Sequence, residues 1–92
     1  MKPVHPGRIL KRELAARALS ANKAALALRV PSGRITSILN GKRSISPETA
    51  LRLARYFGNS PQFWMNLQTS YDLAIAEHVL GEKIKSEVGA AA

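Results

Sequence analysis

Five helix-start signals fall within the first 61 residues, and no run of alternating apolar and polar residues lies between them. That punctuation restricts the chain to a bundle of short helices. Pro6 suits a first helical position, where its missing N–H would have no partner anyway. It opens HPGRILKRELAARA, with Ile9, Leu10, Leu14 and Ala18 on one face and Arg8, Lys11, Arg12 and Arg17 around the other. Ser20 reads as the cap of a second helix that buries Ala25 and Leu28. Val30-Pro31 ends it, because proline disfavours helical dihedrals in the residue before it.

A third helix is expected from Pro31 to Asn40, with Gly41 as its C-terminal cap. Ser46-Pro47-Glu48 places a cap, a proline and a dipole-matching acid in the order that starts a fourth helix. Its expected buried residues are Ala50, Leu51, Leu53, Ala54 and Phe57, and Gly58 stops it. Ser60-Pro61 opens a fifth helix through Trp64, Leu67, Tyr71 and Ile75. Gly81 is read as its end, which makes residues 1–81 one domain and leaves 82–92 as a flexible tail. The fold class is all-α, five helices.

Charge narrows the function. The 92 residues carry fourteen Lys and Arg against six acids, a net of +8. Residues 1–60 hold twelve basic and two acidic residues, while residues 61–92 hold two basic and four acidic. The front two-thirds therefore suits a polyanion and the last third does not. There is no apolar run long enough for a membrane span and no signal-peptide core in MKPVHPGRIL, so no membrane association is expected. The absence of cysteine fits a reducing cytoplasm.

The stretch VPSGRITSILNGKR, residues 30–43, carries the most specific signal. Ala25 stands where two crossing helices need a small side chain, and Leu28, Val30, Ile35 and Ile38 would fill the hollow between them. That is the packing set of a helix-turn-helix over residues 21–40. With Ile35, Ile38 and Leu39 inward, Gly33, Ser37 and Asn40 point away and Arg34 and Thr36 flank them. The exposed face is small, polar and free of acids, which suits a helix lying deep in the major groove. Ser32, Gly33, Arg34, Thr36, Ser37 and Asn40 are the candidate base readers. Lys42 and Arg43 follow at once, placed for backbone phosphates, and Ser20, Asn22 and Lys23 at the start of the second helix could hold another.

The frame HPGRILKREL, followed by GKRSISPETALRLARYFGNSPQFWMNLQTSYDLA, resembles the HigA-type antitoxins, a branch of the Cro and lambda-repressor-like helix-turn-helix proteins. The likeness covers residues 5–76, and SPQFWMNLQTSYDLA is its most characteristic part. It implies a lambda-repressor-like five-helix fold and a homodimer bound to an operator palindrome in its own promoter. It also implies a partner, a HigB-type toxin that is a small RelE-like ribonuclease. A stand-alone phage-type repressor with no toxin partner is the alternative. The chain departs from the family's pattern at Ala24, where a leucine is common, and at Arg29, where the turn often has glycine. Pro31 replaces a common Ser or Thr cap, so no capping contact is expected there.

All five aromatics, Tyr56, Phe57, Phe63, Trp64 and Tyr71, lie within sixteen residues. Phe57 and Phe63 read as core. Trp64, Leu67, Tyr71 and Ile75 form a stripe on the last helix, where few neighbours remain, and are the candidates for a dimer or partner contact. With no long apolar extension to wrap a partner, a toxin is expected to dock on the folded bundle. His5 and His78 are too few and too far apart for a metal site. Asp72, Glu77 and His78 share one short helix without a nucleophile or a phosphate-binding glycine loop, so neither an enzyme nor a cofactor is expected.

Overall fold

The computed structural model describes residues 2–91. Five helices follow one another: α1 Pro6–Ala16, α2 Ala21–Leu28, α3 Ser32–Leu39, α4 Pro47–Phe57 and α5 Pro61–Glu87. No strand occurs among the described residues.

Local chemistry explains where the helices begin. The hydroxyls of Ser20, Ser46 and Ser60 accept from the N–H groups of Lys23, Thr49 and Phe63 at 3.1, 3.3 and 3.0 Å. Each satisfies one otherwise orphaned donor, a contribution of about 1 kcal/mol. α1 is capped instead by a histidine, with His5 Nδ1 accepting from Gly7 N–H at 2.9 Å. Pro31 caps α3 without any side-chain bond.

The ends of α1, α2 and α3 share one device. After α3, Gly41 takes a left-handed φ of 73°, its N–H donates to the Ile38 carbonyl, and Lys42 N–H donates to Ser37. This is a Schellman closure. α1 and α2 close in the same way through Ala18 (φ 50°) and Arg29 (φ 60°), neither of which is glycine. The turn of the helix-turn-helix therefore does use positive φ, borne by an arginine, and Ala18 lies beyond α1 and is exposed.

Leu10, Leu14, Ala24, Ala25, Leu28, Ile35, Ile38, Ile45, Ala50, Leu53, Ala54 and Trp64 form the core. Ala24 is fully buried. α1 crosses α3 closely enough that a Cβ on Gly7 would collide with the Ile38 backbone carbonyl. Four expectations are corrected. Phe63, expected in the core, is 39% exposed, because its neighbour Trp64 takes the inward direction at the start of α5. Leu51 is 60% exposed, because it sits at the edge of the face that α4 buries through Ala50, Leu53 and Ala54. Trp64 is wholly buried, with its ring near Phe57 and Phe63 and its Nε1–H donating to Asn59 Oδ1 at 2.9 Å. α5 does not stop at Gly81 but runs to Glu87, so residues 82–87 are helical. Its second half leaves the bundle, which gives the molecule a long axis of 52 Å against 22 Å in the other two directions. No residue after Gln68 is buried among those described.

Candidate nucleic-acid interface

The buried residues of α3 are Ile35 and Ile38, and they orient everything else on that helix. Ser32, Gly33, Thr36 and Asn40 are exposed, and Ser37 and Arg34 are half-buried. The Thr36 hydroxyl donates to the Ser32 carbonyl at 3.2 Å, which leaves its oxygen free to accept. Arg34 is drawn aside: its Nη1 donates to Glu48 Oε1 on α4 at 3.3 Å. Five of the six candidate readers thus carry side chains or backbone unengaged by a neighbouring helix, and the sixth is tethered.

Lys42 and Arg43 are exposed just beyond the Gly41 turn. The far end of their loop is anchored where Ile45 N–H donates to Gln68 Oε1 at 2.7 Å. Gln68 is itself buried and donates through Nε2 to Asp72 Oδ1 at 3.0 Å. On the opposite flank, Ser20, Asn22 and Lys23 are exposed at the N-terminus of α2. The Ser20 oxygen is occupied by the cap, yet its O–H remains a donor.

Two basic residues that the sequence places only on the polar face of α1, and not among the candidate DNA contacts, join this surface. Arg8 and Lys11 of α1 line a shallow hollow with His5, Leu39, Asn40 and Gly41. Their place depends on the α1–α3 crossing at Gly7, a contact 31 residues apart in the chain that no local pattern announces. His5 backs the hollow, stacked edge-on against Tyr71 at 4.9 Å. Burial holds its imidazole below the ordinary histidine value, partly offset by the charge of Asp72.

A helix-turn-helix sequence model matches residues 10–64, which brackets α2, α3 and α4. The chain belongs to the helix-turn-helix family, and within it to the HigA antitoxins. It is similar to an addiction module antidote protein of a HigA family from Coxiella burnetii, at 50% identity and a TM-score of 0.96, over 99% of this chain and 100% of that one. The antitoxin HigA of Pseudomonas aeruginosa, solved with the higBA promoter, is 41% identical with a TM-score of 0.96, covering 99% and 100% of the two chains. Virulence-associated protein I of Dichelobacter nodosus is 50% identical over 84% of this chain and 72% of its own.

The α5 candidates are only partly brought together. Trp64 belongs to the core and drops out of any contact surface. Leu67 and Tyr71 are half-buried, and Ile75 is 39% exposed. The exposed apolar side chains lie further along this HigA-family helix, at Leu73, Val79, Leu80 and Ile84. Among the described residues no group of three or more His, Cys, Asp or Glu is placed to hold a metal, and no helix is long and apolar enough to cross a membrane.

Proposed function

We propose that this protein is a cytoplasmic antitoxin that binds a palindromic operator in its own promoter as a homodimer and neutralises a HigB/RelE-like ribonuclease. The observation that carries the DNA arm is the α3 face. Ser32, Gly33, Thr36 and Asn40 form an exposed acid-free strip, with cations at its end and the α2 N-terminus beside it. Small polar side chains reach base edges in the major groove, while Lys42, Arg43, Asn22, Lys23 and the Ser20 hydroxyl hold the backbone on either side. Arg8 and Lys11 extend the phosphate contacts along α1.

The dimer is supported by the projecting half of α5. Leu73, Ile75, Val79, Leu80 and Ile84 are all at least 39% exposed there. At helical spacing Leu73, Leu80 and Ile84 share one face and Ile75 and Val79 the opposite one. A second copy packed about a two-fold axis on either face would cover part of this apolar surface, in a dimer whose two α3 helices stand about 34 Å apart, one turn of DNA. Leu67 and Tyr71 continue the Ile75–Val79 face toward the bundle.

The test is affinity capture of the tagged protein from its native host with its gene neighbourhood intact, followed by mass spectrometry and sequencing of co-purified DNA. Stoichiometric recovery of a small neighbouring protein, together with promoter DNA, is expected. Recovery of a dimer holding promoter DNA but no second protein would leave a stand-alone repressor.

A further inference from the structure

Arg34 projects from α3 but is not free. Its Nε is buried without a partner, so among the described residues the 3.3 Å bond from Nη1 to Glu48 Oε1 is the one polar restraint on its guanidinium. Glu48 stands in the first turn of α4 and is itself held. Arg52 donates to Glu48 Oε2 through Nε at 3.2 Å and through Nη2 at 3.1 Å. The remaining arm of Arg52, Nη1, donates to the carbonyl of Leu28 at 3.1 Å. Leu28 is the last residue of α2, where the Arg29 turn begins. One guanidinium on α3 is therefore tied through a carboxylate on α4 to the end of α2. The arrangement keeps Glu48 ionised, since the Arg52 hydrogen bonds and then the Arg34 charge lower its carboxyl below the usual range.

We propose that Glu48 is a positioning residue for operator recognition: clamped by Arg52, it holds the Arg34 guanidinium at the rim of the α3 face so that its remaining N–H fork reads a guanine. The inference rests on the reading of α3 as the base-contacting helix. Arginine presents five N–H donors in a rigid plane, and a pair of them matches O6 and N7 of guanine. A side chain ordered before DNA arrives loses less rotamer freedom on binding, and an off-register fork fits other bases less well. Glu48 also has a plain surface role as the dipole-matching acid of α4, and that role would make no distinction between DNA sequences.

The experiment uses the full chain and a randomised duplex library partitioned on the wild-type protein. The selected duplex, single-base-pair variants of it and an unrelated duplex are then titrated with Arg34→Ala, Glu48→Gln and the double variant, with salt slopes and thermal unfolding measured alongside. Arg34→Ala is expected to relax preference at one G·C pair of each half-site by tenfold or more, on the order of a bidentate base contact. Glu48→Gln is expected to relax the same pair by about three- to tenfold, with binding to the unrelated duplex held or slightly tightened by the lost negative charge. The double variant should lose no more at that pair than Arg34→Ala alone. If Arg34→Ala relaxes a pair and Glu48→Gln leaves it unchanged or sharpens it, Glu48 does not position Arg34 and the proposal is overturned. Equal weakening on every duplex with a lowered unfolding midpoint would overturn it too, as a purely structural effect. If Arg34→Ala relaxes no pair, the reading of Arg34 as a base contact is itself wrong.

Discussion

Gln68 of α5 accepts the Ile45 N–H at 2.7 Å, across 23 residues of sequence and in a site where both are buried. This bond fixes the end of the loop that carries Lys42 and Arg43. Replacing Gln68 with leucine keeps the volume but strands the Ile45 donor, at a cost of about 1–3 kcal/mol. Hydrogen exchange at the Ile45 amide is expected to rise, and DNA affinity to fall by a similar factor on all sequences. Unchanged protection at Ile45 would show that the loop is held by other contacts.

Gly7 sets the crossing of α1 over α3. A methyl group there would collide with the Ile38 carbonyl, and backbone cannot move aside as a flexible side chain can. Gly7→Ala is expected to destabilise the fold by about 1–3 kcal/mol or more. For a domain of this size that is a fall of about 4–8 °C in Tm per kcal/mol, readable by calorimetry. Gly33, whose Cβ would meet open space, is the control, and Gly33→Ala should hold its Tm or raise it slightly.

Ala18 closes α1 at φ 50°, a conformation that carries a steric cost for any residue with a Cβ. Ala18→Gly removes that cost while adding unfolded-state freedom, and the balance is expected to stabilise by about 0.5–1 kcal/mol. Chemical denaturation with an unchanged m-value would check it.

These positions also show what a sequence of this kind reveals. Ser20, Ser46 and Ser60 are legible as caps because each acts on a donor three residues away. The inward set Ile35 and Ile38, and with it the outward face of α3, follows from helical period alone. Gln68 with Ile45 and Gly7 with Ile38 are long-range pairs, set by how helices pack, and neither residue type signals its partner. Trp64 misleads because a late aromatic stripe has the same period whether it faces a core or a second copy. Gly81 misleads because one glycine costs about 1 kcal/mol within a helix, too little to stop one flanked by strong helix formers.

His5 gives the fold a pH dependence with a definite sign. Its Nδ1 must be unprotonated to accept the Gly7 N–H, and burial lowers its folded pKa below the ordinary 6.5. The unfolded chain therefore takes up the proton first as pH falls. The contribution is complete above 6.5 and is lost as pH drops from there through the folded value. Unfolding free energy is expected to decline as pH falls through 6.5 toward the lower folded value, and His5→Asn, which can still cap, should flatten that decline. Glu48 acts in a lower window, since its depressed carboxyl loses its contribution only below the ordinary 4.5. An identical slope in wild type and His5→Asn would remove His5 as the cause.

Readers and anchors on the DNA face should separate by salt and by sequence. Ser37 and Asn40 stand on the α3 face, and Lys42 and Arg43 stand beyond its closing turn. Ser37→Ala or Asn40→Ala is expected to relax preference at individual base pairs, each lost contact costing about 1–3 kcal/mol, with the salt slope unchanged. Lys42→Ala or Arg43→Ala should weaken binding to every duplex and lower the salt slope by about one per lost phosphate contact. Arg8→Ala and Lys11→Ala should behave as Lys42→Ala does, because they are long cationic side chains projecting from α1, beside the Gly41 turn, and not from α3 itself. Titrations at three or more salt concentrations decide it. A changed base preference in Lys42→Ala with none in Asn40→Ala would reverse the two assignments.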